Sequence, residues 1–287
     1  MTTITPTIGQ LRMLSSLRGQ QWMVRPDAIQ TFALAALDVP EKANALNITT
    51  EDFFELRPEP SIGADGVGHV YIQGMLVASC PPIYEKLGLA VRYSTIQDET
   101  EDLIEKGATH ILYHMDSPGG TVAGNIECAN FIRDLSVPTA SHCHGLACSA
   151  CYKLASATGQ IIASESAQVG NIGTILSWQD CTEFWAMQGI EFKALTSEGA
   201  DLKSTFHLEP NETQLAFLQE SLDEAGGAFR EFVATGRAKA GATVDPEIWR
   251  AGWYSGEHAQ MLGLIDGIGT AQDTANFLIN AEEKNPE

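Results

Sequence analysis

From residue 67 onward, short apolar runs of strand length alternate with stretches whose apolar positions recur every three or four residues. The runs at 67–76, 109–115, 138–142, 160–163 and 191–195 predict strands, with Val, Ile, Leu and Tyr prominent among them. Between and after them, 95–106, 121–135, 148–158, 180–188 and 209–240 predict helices, the first ended by Gly107. Residues 256–269 read as a helix, a strand and a turn. Strand–helix units of this length predict an α/β fold whose mostly parallel sheet is covered by helices. Residues 1–66 lack the alternation. There, 26–37 carries helical spacing after Pro26, and 41–66 is polar and broken by Pro58, Pro60, Gly63 and Gly66. The expected organisation is an amino-terminal helical arm and linker over 1–66, then one catalytic-sized domain over 67–287.

Composition narrows the partners. The 37 acidic against 17 basic residues give a formal charge of −20, which repels nucleic-acid backbones and anionic membrane surfaces. No run approaches the ~20 apolar residues of a bilayer span, and 1–20 lacks a basic start followed by an apolar block. A cytoplasmic protein with no nucleic-acid partner and no membrane anchor is expected. The six cysteines are scattered as reduced core thiols would be, not paired in a framework.

Two turns carry candidate chemistry. Ser149 lies among small residues where the strand at 138–142 leads into a helix, a setting that lifts a hydroxyl toward a substrate. Upstream, Asp116, Ser117, Pro118, Gly119 and Gly120 form a turn whose paired glycines let N–H groups approach a developing oxyanion. A serine nucleophile needs a base. His142 and His144 precede the turn too closely to reach back, while His207 follows a stretch rich in Gly, Ser and Asp. Lysine is the other option, if its environment supplies a neutral amine. Lys203 follows the strand predicted at 191–195, on a loop from which it could enter a cleft; Lys193 reads as a surface charge. Lys153, four residues after Ser149, reads as a solvated helical lysine. His142, Cys143, His144, Cys148 and Cys151 could in principle hold zinc or form a redox pair, but no second pair complements them. The expectation is no metal and no cofactor.

Several segments in order resemble the SppA/SohB-type signal peptide peptidases and their bacteriophage head-protease relatives, Ser–Lys peptidases of the ClpP/crotonase-like fold. They are V-G-H-V-Y-I-Q-G-M-L (67–76), M-D-S-P-G-G-T-V-A-G (115–124), G-L-A-C-S-A-C-Y-K-L-A-S-A (145–157), I-I-A-S-E-S-A-Q-V-G-N-I-G-T-I (161–175), Q-G-I-E-F (188–192) and G-W-Y-S-G-E-H-A-Q-M-L-G-L-I-D-G-I-G (252–269). The resemblance implies repeated ββα units and hydrolysis of peptide bonds. It implies Ser149 as nucleophile, Lys203 as base, and Gly119 and Gly120 as the oxyanion hole. It also implies a groove lined by Gly74, Met75, Leu76, Ser117 and Pro118 that takes an extended peptide by strand addition. Two departures stand out: Lys203 lies four positions after Gly199, where the family's lysine lies three after its glycine (G-x-x-K), and Asn171 stands where many relatives carry a serine that helps hold the lysine.

The opening around Gln21, Trp22, Met23 and Val24 is similar to the start of phage head proteases, which implies capsid and scaffold proteins as substrates, within an assembling procapsid. With the chain ending at Glu287, any scaffold is expected to be a separate protein. A single-length chain of this family implies a cyclic homo-oligomer in which serine and lysine meet across subunits. The alternatives are a bacterial peptidase degrading hydrophobic peptides, a crotonase-type acyl-CoA enzyme, and an inactive scaffold-binding protein.

Overall fold

A computed structural model describes residues 21–25, 57–177, 182–191, 193–203 and 209–283. The helix expected at 26–37, most of the linker, Cys181 and His207 lie outside them. In chain order the strands are β1 (Trp22–Val24), β2 (Ser61–Ile62), β3 (Val67–Gln73), β4 (Met75–Val77), β5 (Ala90–Arg92), β6 (His110–Ser117), β7 (Gly119–Thr121), β8 (Thr139–Cys148), β9 (Gln160–Ala163), β10 (Gln168–Gly170), β11 (Trp253–Ser255) and β12 (Gly267–Ile268). The helices are α1 (Pro82–Lys86), α2 (Tyr93–Glu105), α3 (Asn125–Arg133), α4 (Ala150–Ala155), α5 (Thr182–Met187), α6 (Glu212–Lys239), α7 (Gly256–Met261) and α8 (Ala271–Glu283).

The large sheet runs β11-β10-β8-β6-β3-β2, with β9 and β12 branching from β8. Its inner pairs are parallel, and its edges, β2 on β3 and β11 on β10, are antiparallel. A second sheet runs β1-β7-β4-β5. Alternation along the strands explains the layers. Val70, Ile72, Ile111, Tyr113 and Met115 face the main core with α2, α3, α4 and α6, whereas Val67 and Leu112 face Ala275 and Leu278 of α8. Each such large apolar side chain contributes about 1.5–3 kcal/mol on burial. Arg237, 1% exposed, ties α6 to the loop before β12 through Asp266 (2.7 and 3.1 Å) and the Gly263 carbonyl (2.9 Å).

Three differences from the sequence expectations have physical causes. The run at 67–76 splits at Gly74, whose φ of +77° and close approach to the Gly88 carbonyl turn the chain into a separate strand. The strand expected at 138–142 continues to Cys148, so it delivers Ser149 directly. Residues 191 and 193–195 form no strand: they lie exposed, Leu195 fully so, packed on no apolar surface among the described residues. Helix α8 was not anticipated.

Candidate active site

Strand β8 carries Ser149 to the site, and its register is broken on purpose. Its first half pairs with β9, its last three residues with β10, and the ladder to β6 slips between Met115 and Ser117. Asp116 sits at the slip and accepts the Leu146 N–H at 2.9 Å. Gly145 allows this, because a Cβ there would fall 2.3 Å from the Asp116 carboxylate. Ser149 then caps α4 with φ 55° and ψ −119°, a conformation that costs a non-glycine residue about 1–3 kcal/mol and is characteristic of functional turns. Its N–H donates to the Gly170 carbonyl (2.7 Å), and its hydroxyl donates weakly to the Gly173 carbonyl (3.4 Å).

The second turn meets the first. Gly119 has φ +104°, and a Cβ added to it would lie 3.0 Å from both the Ser149 Cβ and the Cys148 carbonyl. Gly120 is equally constrained, with its Cβ position 1.7 Å from the Leu76 carbonyl. Two glycines are therefore required for the D-S-P-G-G turn to touch the serine turn. The Gly119 N–H is engaged by the Ser117 hydroxyl at 3.1 Å. The Pro118 carbonyl accepts the Arg25 backbone N–H (3.0 Å).

The remaining predicted groups fall in different places. Gly74 shapes the turn into β4, but Met75 and Leu76 lie on an inner strand between β5 and β7 and have no free edge to offer a peptide. The edge beside Ser149 belongs to β7. Asn171, at φ 56°, donates its side-chain amide to the Ala251 carbonyl (2.8 Å) and its backbone N–H to Gly252 (2.7 Å), fixing the loop after β10. Lys203 is exposed, with its carbonyl receiving Gln214, and no contact joins it to Ser149 within the described residues.

Lys153 overturns the expectation of a solvated lysine. It is 2% exposed, because α4 is enclosed and α6 crosses over it. Burial lowers its pKa to about 8, against a smaller opposing effect of Glu127. Its amine lies over Phe229 and Phe232, 5.6 and 5.4 Å from the ring centres, and not at the Ser149 hydroxyl. His142 bonds the Gly269 carbonyl (3.1 Å) and His144 lies 3.8 Å from Asp116, so neither serves Ser149. Cys148 and Cys151 are buried, and burial pushes the Cys151 thiol well up, the reverse of what a thiolate ligand or redox nucleophile needs. Among the described residues no three His, Cys, Asp or Glu side chains group as a metal site.

Sequence reasoning missed Asp116 as the brace of β8, the strand that carries Ser149, and β1 as the neighbour of β7. The aspartate in D-S-P-G-G was a visible signal; nothing in Trp22–Val24 announced its pairing.

The sequence profile of peptidase family S49 matches residues 132–284, more than half of the chain. The chain belongs to peptidase family S49. The S49 match includes Ser149 and Lys203 and begins beyond Gly119 and Gly120. Among its relatives, the head-tail preconnector protein GP5 of Enterobacteria phage P21 is 28% identical over 179 residues, 61% of this chain and 35% of the relative. The capsid assembly protease C of Escherichia phage lambda is 26% identical over 224 residues, 76% of this chain and 49% of the relative. A candidate protease of Synechocystis sp. is 27% identical over 185 residues, 64% of this chain and 66% of the relative. This S49 chain thus spans between about a third and two thirds of the length of these curated relatives. No described helix is long and apolar enough to cross a membrane.

Proposed function

We propose that this S49 chain is a serine endopeptidase of the Ser–Lys type that cleaves extended segments of capsid or scaffold proteins during phage assembly. The observation that carries the reading is the contact between the Gly119 turn and the Ser149 turn, which brings a double-glycine loop beside a serine of strained backbone at the start of α4. Ser149 Oγ attacks the peptide carbonyl carbon while the Lys203 amine takes its proton. The tetrahedral oxyanion forms at the Gly119–Gly120 turn. Its collapse breaks the C–N bond, the lysine returns the proton to the leaving amine, and water then releases the acyl group by the same route. The kinship of fold with the ClpP/crotonase type belongs to the same reading, as does the division into an arm over 1–66 and a peptidase domain over 67–287.

The base comes from a neighbouring subunit of a cyclic homo-oligomer. Supporting this, Lys203 is exposed in a stretch that also exposes Phe184, Met187, Ile190, Leu195 and Leu202, apolar surface of the kind that subunits cover. The capsid role draws on the names of the two phage relatives. The test mixes two inactive variants, Ser149→Ala and Lys203→Ala. Recovery of casein or peptide hydrolysis on subunit exchange supports a shared dyad. A fully active monomer, or no recovery while exchange is demonstrated, refutes it.

A further inference from the structure

Extended peptides bind proteases by pairing with an exposed strand edge next to the nucleophile. Here β7 is the strand that begins at Ser149's neighbour Gly119, and its inner edge is taken by β4. Among the described residues its outer edge is therefore a strand edge along which a peptide can pass the hydroxyl. That edge is filled by the chain itself. β1 pairs antiparallel with β7, with Trp22 opposite Thr121, Met23 opposite Gly120 and Val24 opposite Gly119. On its other side Trp22 exchanges two backbone hydrogen bonds with Ile175, each 2.9 Å, so β1 is clamped between two walls.

The clamp is aligned on the chemistry. The Met23 carbonyl oxygen lies 2.2 Å from the Cβ position of Gly119, the same point that lies 3.0 Å from the Ser149 Cβ. Ser149 itself has no exposed surface. Both ends of β1 are tied: the Gln21 side chain donates to Ser221 of α6 (2.7 Å), and Arg25 bonds Gln168 and stacks on Trp253.

We infer that β1 is an internal plug, a segment of the chain held in cis in the place of a substrate strand with the Met23 carbonyl presented at Ser149, and that substrate binds only when β1 leaves. The inference rests on the proposed role of Ser149. It also gives a substrate class. Trp22, Met23 and Val24 are each 2–3% exposed, Trp22 and Val24 packing with Met75, Val77, Tyr84 and Ala90, and Met23 entering the main core. A segment that replaces them is extended and apolar on both faces. Because only the unplugged fraction binds, apparent affinity falls in proportion to that fraction.

The test locks the plug. Trp22 and Ile175 form a hydrogen-bonded antiparallel pair, whose Cα separation of about 5.5 Å suits a disulfide. The full-length Trp22→Cys/Ile175→Cys chain is compared oxidised and reduced, with the cross-link confirmed by mass mapping and the fold by far-UV dichroism. A fluorophosphonate probe reports Ser149 labelling, and an apolar fluorogenic peptide reports turnover. The plug requires that oxidation lowers both by at least about tenfold and that dithiothreitol restores them. Equal labelling and turnover in the two states overturns the plug and leaves the Ser149 reading standing. Absence of Ser149 labelling in the reduced state and in the unaltered chain overturns both.

Discussion

Replacing Lys153 by methionine should make the protein more stable at neutral pH and leave the proposed peptidase activity in place. The lysine pKa falls from 10.5 to about 8 on burial. At 1.36 kcal/mol per unit this is a penalty of up to about 3 kcal/mol on the charged amine in the folded state. Methionine keeps the length and flexibility of the side chain and carries no charge, so Lys153→Met should gain up to about 3 kcal/mol at pH 7. The sign of the pH dependence follows from linkage. Between about 8 and 10.5 the unfolded chain binds a proton at this site that the folded chain does not, so wild-type stability rises with pH across that window. Below about 8 the penalty is fully present. The advantage of the variant should therefore be constant from pH 6 to 7.5 and shrink toward zero by pH 10.5. Urea unfolding of both proteins at several pH values measures this, the other titrating groups cancelling in the difference. A variant less stable than wild type at pH 7, or a difference that does not change with pH, refutes the reasoning. A folded variant without activity would count against the proposed assignment of the base to Lys203.

Two further substitutions probe the turns. Ser149→Gly and Ser149→Ala should both lack hydrolysis, but the glycine variant should be the more stable by about 1 kcal/mol or more in thermal unfolding, since only glycine adopts φ 55°, ψ −119° without strain; equal stabilities would show the turn to be relaxed. Gly119→Ala should cost well over the about 1 kcal/mol expected of Gly107→Ala. Both positions have positive φ, but a Cβ at Gly107 meets nothing within 4 Å, whereas one at Gly119 strikes the Met23 carbonyl at 2.2 Å. Matching losses in chemical denaturation would reject the close approach on which the site depends.

The sequence by itself determined the local frame: the strand and helix alternation from residue 67, the serine at a strand-to-helix turn, and a double-glycine turn able to face it. These are legible because period and turn chemistry are local, and because glycine at 119 and 120 meets a backbone demand that other residues do not. Only the tertiary structure decided what depends on a distant partner. Lys153 reads as a surface residue until α6, some eighty residues later, is laid across α4 and removes it from water. Met75 and Leu76 read as a groove wall until β5 and β7 take both edges of their strand. Residues 191 and 193–195 carry strand-like spacing, yet among the described residues no element pairs with them. The three residues Trp22–Val24 are too few to announce a strand, and they are one because the β7 edge beside Ser149 is there to pair with them. Strand pairing satisfies backbone groups on whichever edge is open, and which edge is open is a property of the assembled sheet.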